Sequence, residues 1–311
     1  MSFGSWGTQF VPKQTWWKAG GAKELFGYMA RCQSLLQRGV PAKEQLPALP
    51  HFKTYRRTDG DTDIYFICNP TAQAETDALT LPLAGRSAEI WDPYTKEMYA
   101  YDGSALSIEP YGSRFIILRP GTTDKPSATE YQTVSSIPVT GNWTVDFAQE
   151  GKTLTLDSLT SWTEQTDKDI KYFSGTATYR IDLPLKKKQL KDKEACYILS
   201  LGELKNMARV TVNGTAFPIL WKAPFECNIT EALAKGNNRI EVEVTNLWPN
   251  RMIGDEQEPE DVEWGETLKY DFAPGSPVAG QYMAKLPDWL LQGKPRPSQG
   301  RKSFYAFKFF R

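Results

Sequence analysis

Histidine is almost missing: His51 is the one example in 311 residues. A zinc site of the HExxH kind therefore cannot be built. Any Ser-His-Asp or Cys-His mechanism would depend on that single ring. Net charge is missing as well, because 37 Lys+Arg face 37 Asp+Glu. That balance argues against a nucleic-acid binder, which needs a basic face to displace counterions. Cysteine is scarce, and Cys32, Cys68, Cys196 and Cys227 lie too far apart for a CxxC pair. Cys68 (IYFICN) and Cys196 (ACYILSL) sit in apolar runs and read as buried free thiols. No stretch approaches the roughly 18 apolar residues of a membrane helix. The opening MSFGSWGTQF has neither a basic n-region nor an apolar h-region, so no secretory signal is expected.

Aromatic residues are abundant: 13 % of the chain, with ten tryptophans. Tryptophan is costly to use without a large buried or stacking surface. With 40 % hydrophobic residues there is ample material for cores. At roughly 150 residues per domain, the length suggests about two domains.

Residues 1–45 differ from the rest. Leu25, Met29, Cys32 and Leu36 recur at helical spacing, Gly39 follows as a stop, and Pro41 lies just beyond. From His51 onward the period becomes strand-like. DIYFICN (63–69), Leu79–Leu83, AEIWD (88–92), ALSIE (105–109) and SRFIILR (113–119) are short β-rich runs separated by turn pairs. They predict a small antiparallel sandwich over 46–120. PGTTDKPSATE lacks apolar periodicity, and 121–130 reads as a linker. A second β domain over 131–311 begins with WTVDF (143–147), TLTLD (153–157) and TATYRIDLP (176–184). It continues with ACYILSL (195–201), ARVTVNG (208–214), FECNIT (225–230) and RIEVEVTN (239–246). Asn213-Gly214 signals a type I′ hairpin, and Thr230 is placed to cap a short helix, EALAKG, ended by Gly236. Many short strands with little helix predict a mainly β chain of two antiparallel β-sandwich domains. The second should be a jelly roll, preceded by a short helical leader.

LSLGELKNMARVTVNGTAFPILWKAPFECNITEALAKGNNRIEVEVTN (199–246) resembles the sugar-binding, galactose-binding-like jelly-roll module of family 2 glycoside hydrolases. With GNWTVDF, LTSWTEQTDKDIKYFSGTATYR, NLWPNRMIGD and KPRPSQGRKSF, the chain resembles the C-terminal portion of the α-L-rhamnosidases of glycoside hydrolase family 106. QTWWKAGGAKELFGYMARCQSLLQRG fits that family too. The resemblance makes residues 1–45 the remnant of a catalytic (β/α)-barrel whose preceding part, with its carboxylates, is missing here.

It implies an accessory, non-catalytic chain that braces the missing barrel and borders carbohydrate. The partners are then carbohydrate and that barrel, with no nucleic acid and no membrane. A free-standing carbohydrate-binding module is the alternative. The parent protein would be periplasmic or secreted. No cofactor is expected. The metal question stays open, because the acidic run 255–263 has oxygens suited to calcium but lacks EF-hand spacing and its glycine. No catalytic residue is assigned. The candidate sugar-binding residues are Gln14, Trp16, Trp17, Trp248, Asn250 and Arg251. Trp16 and Trp17 offer flat faces to a pyranose, or else one of them packs beneath the β domains. Arg251 either contacts a ligand or pairs with Asp255 to fix its turn. His51 reads as a surface or packing residue.

Overall fold

The computed structural model describes residues 15–128, 133–190, 194–255, 257, 263–264 and 283–285. The chain is mainly β, with several antiparallel sheets and few helices. Two helices lead: α1 (Thr15–Lys18) and α2 (Gly21–Leu36). The next strands are β1 (Val40–Pro41), β2 (Lys53–Asp59), β3 (Thr62–Cys68), β4 (Glu75–Asp77), β5 (Arg86–Trp91), β6 (Met98–Tyr101), β7 (Leu106–Ile108) and β8 (Ser113–Pro120). Six of them form a sheet in the order β1-β2-β3-β8-β5-β6, and β4 pairs with β7.

β3 and β8 are the centre of that sheet, and their middles, Ile64–Ile67 and Phe115–Leu118, are apolar because both faces of the sheet are covered there. Side chains alternate along a strand. Tyr65, Ile67, Ile90, Ile116 and Leu118 therefore pack on one side with Phe52, Leu79, Leu106 and Ile108. Ile64, Phe115 and Ile117 turn the other way and meet Cys32 and Leu35 of α2. The helix thus docks on the sheet through Tyr28, Cys32, Leu35 and Leu36. This stripe shares Cys32 and Leu36 with the one the spacing predicts but is rotated toward Tyr28 and Leu35, while Leu25 and Met29 are not in that cluster. Two polar bonds fix the rotation: Tyr28 Oη with Ser113 Oγ at 2.7 Å, and Arg31 Nε donating to Pro93 O at 2.7 Å. Gly39 ends the turn at φ +56°, and a Cβ there would lie 1.9 Å from Thr58 O. Only glycine fits that approach.

Two sequence expectations change here. Leu79–Leu83 forms no strand, although Leu79 is buried and Leu81 and Leu83 pack on the core. Pro82 at its middle has no N–H to give a ladder. β2 was not expected, because KTYRRTD reads as polar, yet all seven residues pair with β3.

The remaining elements are β9 (Trp143–Phe147), β10 (Lys152–Leu156), α3 (Lys168–Lys171), β11 (Thr176–Leu185), β12 (Ile198–Ser200), β13 (Met207–Val212), β14 (Thr215–Ala216), β15 (Glu226–Asn228), β16 (Gly236–Thr245) and α4 (Pro249–Asp255). They give a second six-stranded sheet, β10-β9-β11-β16-β13-β14, and a separate β12-β15 pair. Glu263–Trp264 pairs antiparallel with Met283–Lys285. Asn213 and Gly214 hold φ of +50° and +86° between β13 and β14, as a type I′ turn requires. EALAKG is reduced to one 3-10 turn, Thr230–Ala232, whose cap position is Ile229. The Thr230 hydroxyl is taken by Asn228 Oδ1 at 2.6 Å and by the Tyr197 amide at 2.8 Å. It is therefore not available as a helix cap.

The chain divides into two compact units. The larger holds the described residues of 16–139 and 182–242, and the smaller holds those of 140–181 and from 243 onward, with Thr15. The smaller unit is centred on Trp143, Val145, Phe147, Ile170, Phe173 and Ala177. Phe147, Trp162 and Phe173 form an edge-to-face triangle with centroids 5.1–5.5 Å apart.

Candidate functional site

Gln14 and the acidic run 256–262, apart from Gln257, lie outside the described residues. Trp16 and Trp17 lie in α1, a helical turn rather than a loop, and are half-buried. Their rings meet edge-on at 5.7 Å, and Trp17 meets Phe26 of α2 at 5.8 Å. The α1–α2 corner is held by Gly20 at φ +93° and by Arg209 Nη2 donating to Ala19 O at 3.1 Å.

Trp248, Asn250 and Arg251 belong to the smaller unit, and Trp16 and Trp17 belong to the larger. Trp248 is 39 % exposed. Asn250 is a bracket: its Nδ2 donates to Lys171 O and Phe173 O, both at 2.9 Å. The Arg251 amide donates to Ser174 Oγ at 2.9 Å. The Asp255 side chain, the second half of the expected ion pair, is outside the described atoms.

A buried charge network in the larger unit had no sequence signal. Glu109 accepts from Arg114 Nη2 at 2.9 Å and from Lys222 Nζ at 2.6 Å. Arg114 Nη2 also lies 3.2 Å from Asp92 Oδ2. Lys222 Nζ sits 4.3 Å from the centre of the Tyr94 ring, a cation-π contact. Trp221 is flanked edge-on by Tyr28 and Tyr94, each at 5.4 Å. Burial pushes the Glu109 carboxyl up, but Arg114 and Lys222 outweigh it and hold its pKa below the ordinary value. Burial raises the Tyr94 phenol to about 12. Gly112 makes room for this arrangement, because a Cβ there would lie 2.5 Å from the Glu109 carboxyl carbon. The network locks the 221–222 segment to the loops of the first sheet, which is a structural task.

His51 is exposed, as expected for a surface residue, and it is tied. Its Nδ1 lies 2.8 Å from Asp77 Oδ1 and its Nε2 3.6 Å from Glu75 Oε2. Asp77 Oδ2 accepts from the amides of His51 and Phe52. The hydrogen bond to Asp77 raises the His51 pKa above 6.5. Both ring nitrogens face carboxylates, so the ring is placed as a latch and not as the base of a nucleophile.

A cleft of about 470 Å³ opens in the larger unit. It is lined by Glu194, Ala195, Cys196, Thr215, Phe217, Asn228, Thr230 and Glu231. Sequence reading placed Asn228 in a strand and Thr230 at a helix cap, and only the tertiary structure brings them to one cleft with Phe217. All four cysteines are free thiols. Cys32 and Cys227 are buried, whereas Cys68 and Cys196, expected to be buried, are half-buried. Among the described residues no group of three or more His, Cys, Asp or Glu could hold a metal ion. No described helix is long and apolar enough to cross a membrane.

No family model matches the chain. A Formosa agariphila protein named "Putative beta-glucuronidase" is 36 % identical over 252 residues, which is 76 % of this chain and 19 % of that protein. Among solved structures, a rhamnosidase from Novosphingobium sp. PP1Y is similar with a TM-score of 0.56 and 26 % identity, over 74 % of this chain and 23 % of that one. The chain is therefore related to glycoside hydrolases, and it spans about a fifth of the length of the curated relative it matches.

Proposed function

We infer that this chain is the accessory, non-catalytic C-terminal part of an α-L-rhamnosidase-like glycoside hydrolase. It braces a catalytic barrel and borders plant or microbial polysaccharide. One observation carries the reading: the likeness to the Novosphingobium rhamnosidase takes in most of this chain but less than a quarter of that enzyme. The side chains agree with it. The histidine is latched between two carboxylates, and the most elaborate polar network ties strand loops together. In this reading 46–120 and 131–311 are sandwich modules joined by 121–130, the second a galactose-binding-like jelly roll. Residues 1–45 are the barrel's last helical segment. Incubation of purified chain with an aryl α-L-rhamnoside and an aryl β-glucuronide tests it. No turnover above buffer is expected, and release of the aryl group at an enzymatic rate would overturn the accessory role.

Exposure of Trp248 favours a second reading, a free-standing carbohydrate-binding module. It requires calorimetric binding to a rhamnose- or galactose-containing polysaccharide that falls when Trp16, Trp17 or Trp248 becomes Ala. A flat titration against such a panel removes it.

A further inference from the structure

We propose that Tyr111 is a stacking platform for a pyranose ring, presented by the turn Glu109-Pro110-Tyr111-Gly112 of the larger unit. The proposal rests on the reading that this glycoside-hydrolase-related chain borders carbohydrate. It assigns a sugar contact to a residue other than Trp16, Trp17 and Trp248.

The backbone supplies the first observation. The turn is closed by the Gly112 amide, which donates to Glu109 O at 3.0 Å. Tyr111 holds φ +53°. Proline at the first central position with positive φ at the second is the pattern of a type II turn, and that second position ordinarily falls to Gly or Asn. A bulky side chain is strained there. Among the described residues, Lys96 and Asn213 are the other non-glycine positions with positive φ. Asn213 suits its hairpin turn, and the Lys96 amide closes the loop after β5 by donating to Asp92 O at 2.9 Å. Tyr111 is the one aromatic residue placed this way.

The fold gains no packing in return. Tyr111 is 64 % exposed, and among the described residues only its amide is bonded, donating to Thr71 O at 3.1 Å. Strain kept at a residue that adds nothing to the core points to a task outside the fold. The surroundings narrow that task. Ala72, Gln73 and Ala74 of the adjoining loop are exposed and small or polar, so the ring does not belong to the contiguous apolar patch that a protein interface core requires. A single flat ring among polar groups suits a sugar, whose C–H face can lie on the phenol while its hydroxyls stay in water.

Both flanks of the tyrosine are fixed before a ligand arrives. Asn69 is 2 % exposed, and its Nδ2 donates to Gln73 O at 2.7 Å, Ile108 O at 3.0 Å and Glu109 O at 3.1 Å. Its amide donates to Gly112 O at 3.0 Å. The Glu109 carboxylate is gripped by Arg114 and Lys222. Stacking on a tip held so firmly orders little further backbone, which is how a preorganised site gains affinity.

Nitration of the full chain with tetranitromethane, followed by peptide mass spectrometry, reads the site, with Tyr55 as the internal reference because it is 38 % exposed. The probes are disaccharides of rhamnose, galactose and glucose and a glucuronate-containing disaccharide. Sorbitol serves as a control, since it carries hydroxyls but no ring face. A bound disaccharide at ten times its Kd is expected to slow nitration of Tyr111 about tenfold by mass action, with Tyr55 unchanged and sorbitol without effect. By calorimetry Tyr111→Phe should bind within about threefold of the parent chain, and Tyr111→Gly about tenfold more weakly or worse. Because glycine accepts positive φ freely, Tyr111→Gly should melt no lower than the parent chain, a result that a merely structural tyrosine would not give. The site is overturned if no disaccharide protects Tyr111, if sorbitol protects equally, or if Tyr111→Gly lowers the melting temperature. Calorimetric binding that survives Tyr111→Gly also overturns the site and leaves the reading that the chain borders carbohydrate intact. Turnover of an aryl glycoside removes the accessory reading and leaves Tyr111 to its own test.

Discussion

At the residue scale, the most informative side chains are those whose environment sets their charge. His51 is the only histidine, so its ring protons give one isolated titration by NMR. The bond to Asp77 raises its pKa above 6.5. The latch therefore contributes fully below pH 6.5 and is lost as pH rises through the higher folded value. Asp77→Asn should bring the midpoint down toward 6.5; an unchanged midpoint would show that the pair does not form in solution. Glu109 behaves in the opposite sense. Its folded pKa is depressed below 4.5, so its contribution holds above that value and fades as pH falls through the folded one. Lys222→Met leaves that carboxylate with Arg114 alone in a largely buried site. It should cost about 3 kcal/mol in chemical denaturation, with part recovered in the double variant with Glu109→Gln. A loss below about 0.5 kcal/mol would mean the ion pair is solvated.

At the scale of elements, α2 illustrates how a helix is placed. A lone amphipathic helix of this length is marginal in water, and here it gains its stability from the sheet face it covers. Leu35, 8 % exposed, should lose about 2–4 kcal/mol on change to Ala. Met29→Ala, on the half-buried flank, should lose clearly less. Equal losses at the two positions in thermal melts would return the stripe to the one read from sequence spacing. Hydrogen exchange should protect amides 25–36 as a unit with β3 and β8. The β13–β14 turn gives a local test, since Gly214→Ala at φ +86° should cost about 1 kcal/mol.

At the scale of the whole molecule, the larger unit joins stretches of chain far apart in sequence. Glu109 and Lys222 are separated by 113 positions, and Trp221 sits between Tyr28 and Tyr94. The segment before β9 is different. Val134 is 88 % exposed, which makes the stretch 133–138 a natural site for proteolysis. A nick there should cut the chain on a denaturing gel while both pieces still elute together from a native sizing column. Separate elution would show that the seam around Lys222 does not hold in solution.

The strands were largely legible. Period-two runs marked β3, β5, β8, β9, β10, β11, β13 and β16, and Asn213-Gly214 fixed its own turn, because alternation and positive φ are properties of neighbouring residues. The likeness to glycoside hydrolases was legible for the same reason, as a run of local motifs. β2 was not, because its Arg56 is reconciled with the sheet by Asp63, which arrives from the next strand at 2.9 Å. The placement of α2, the latch of His51 by a residue 26 positions on and the Glu109–Lys222 bridge belong to tertiary structure alone. Each depends on which distant group ends within a few ångströms. Such an approach is settled by the packing of whole sheets and leaves no periodic trace along the chain.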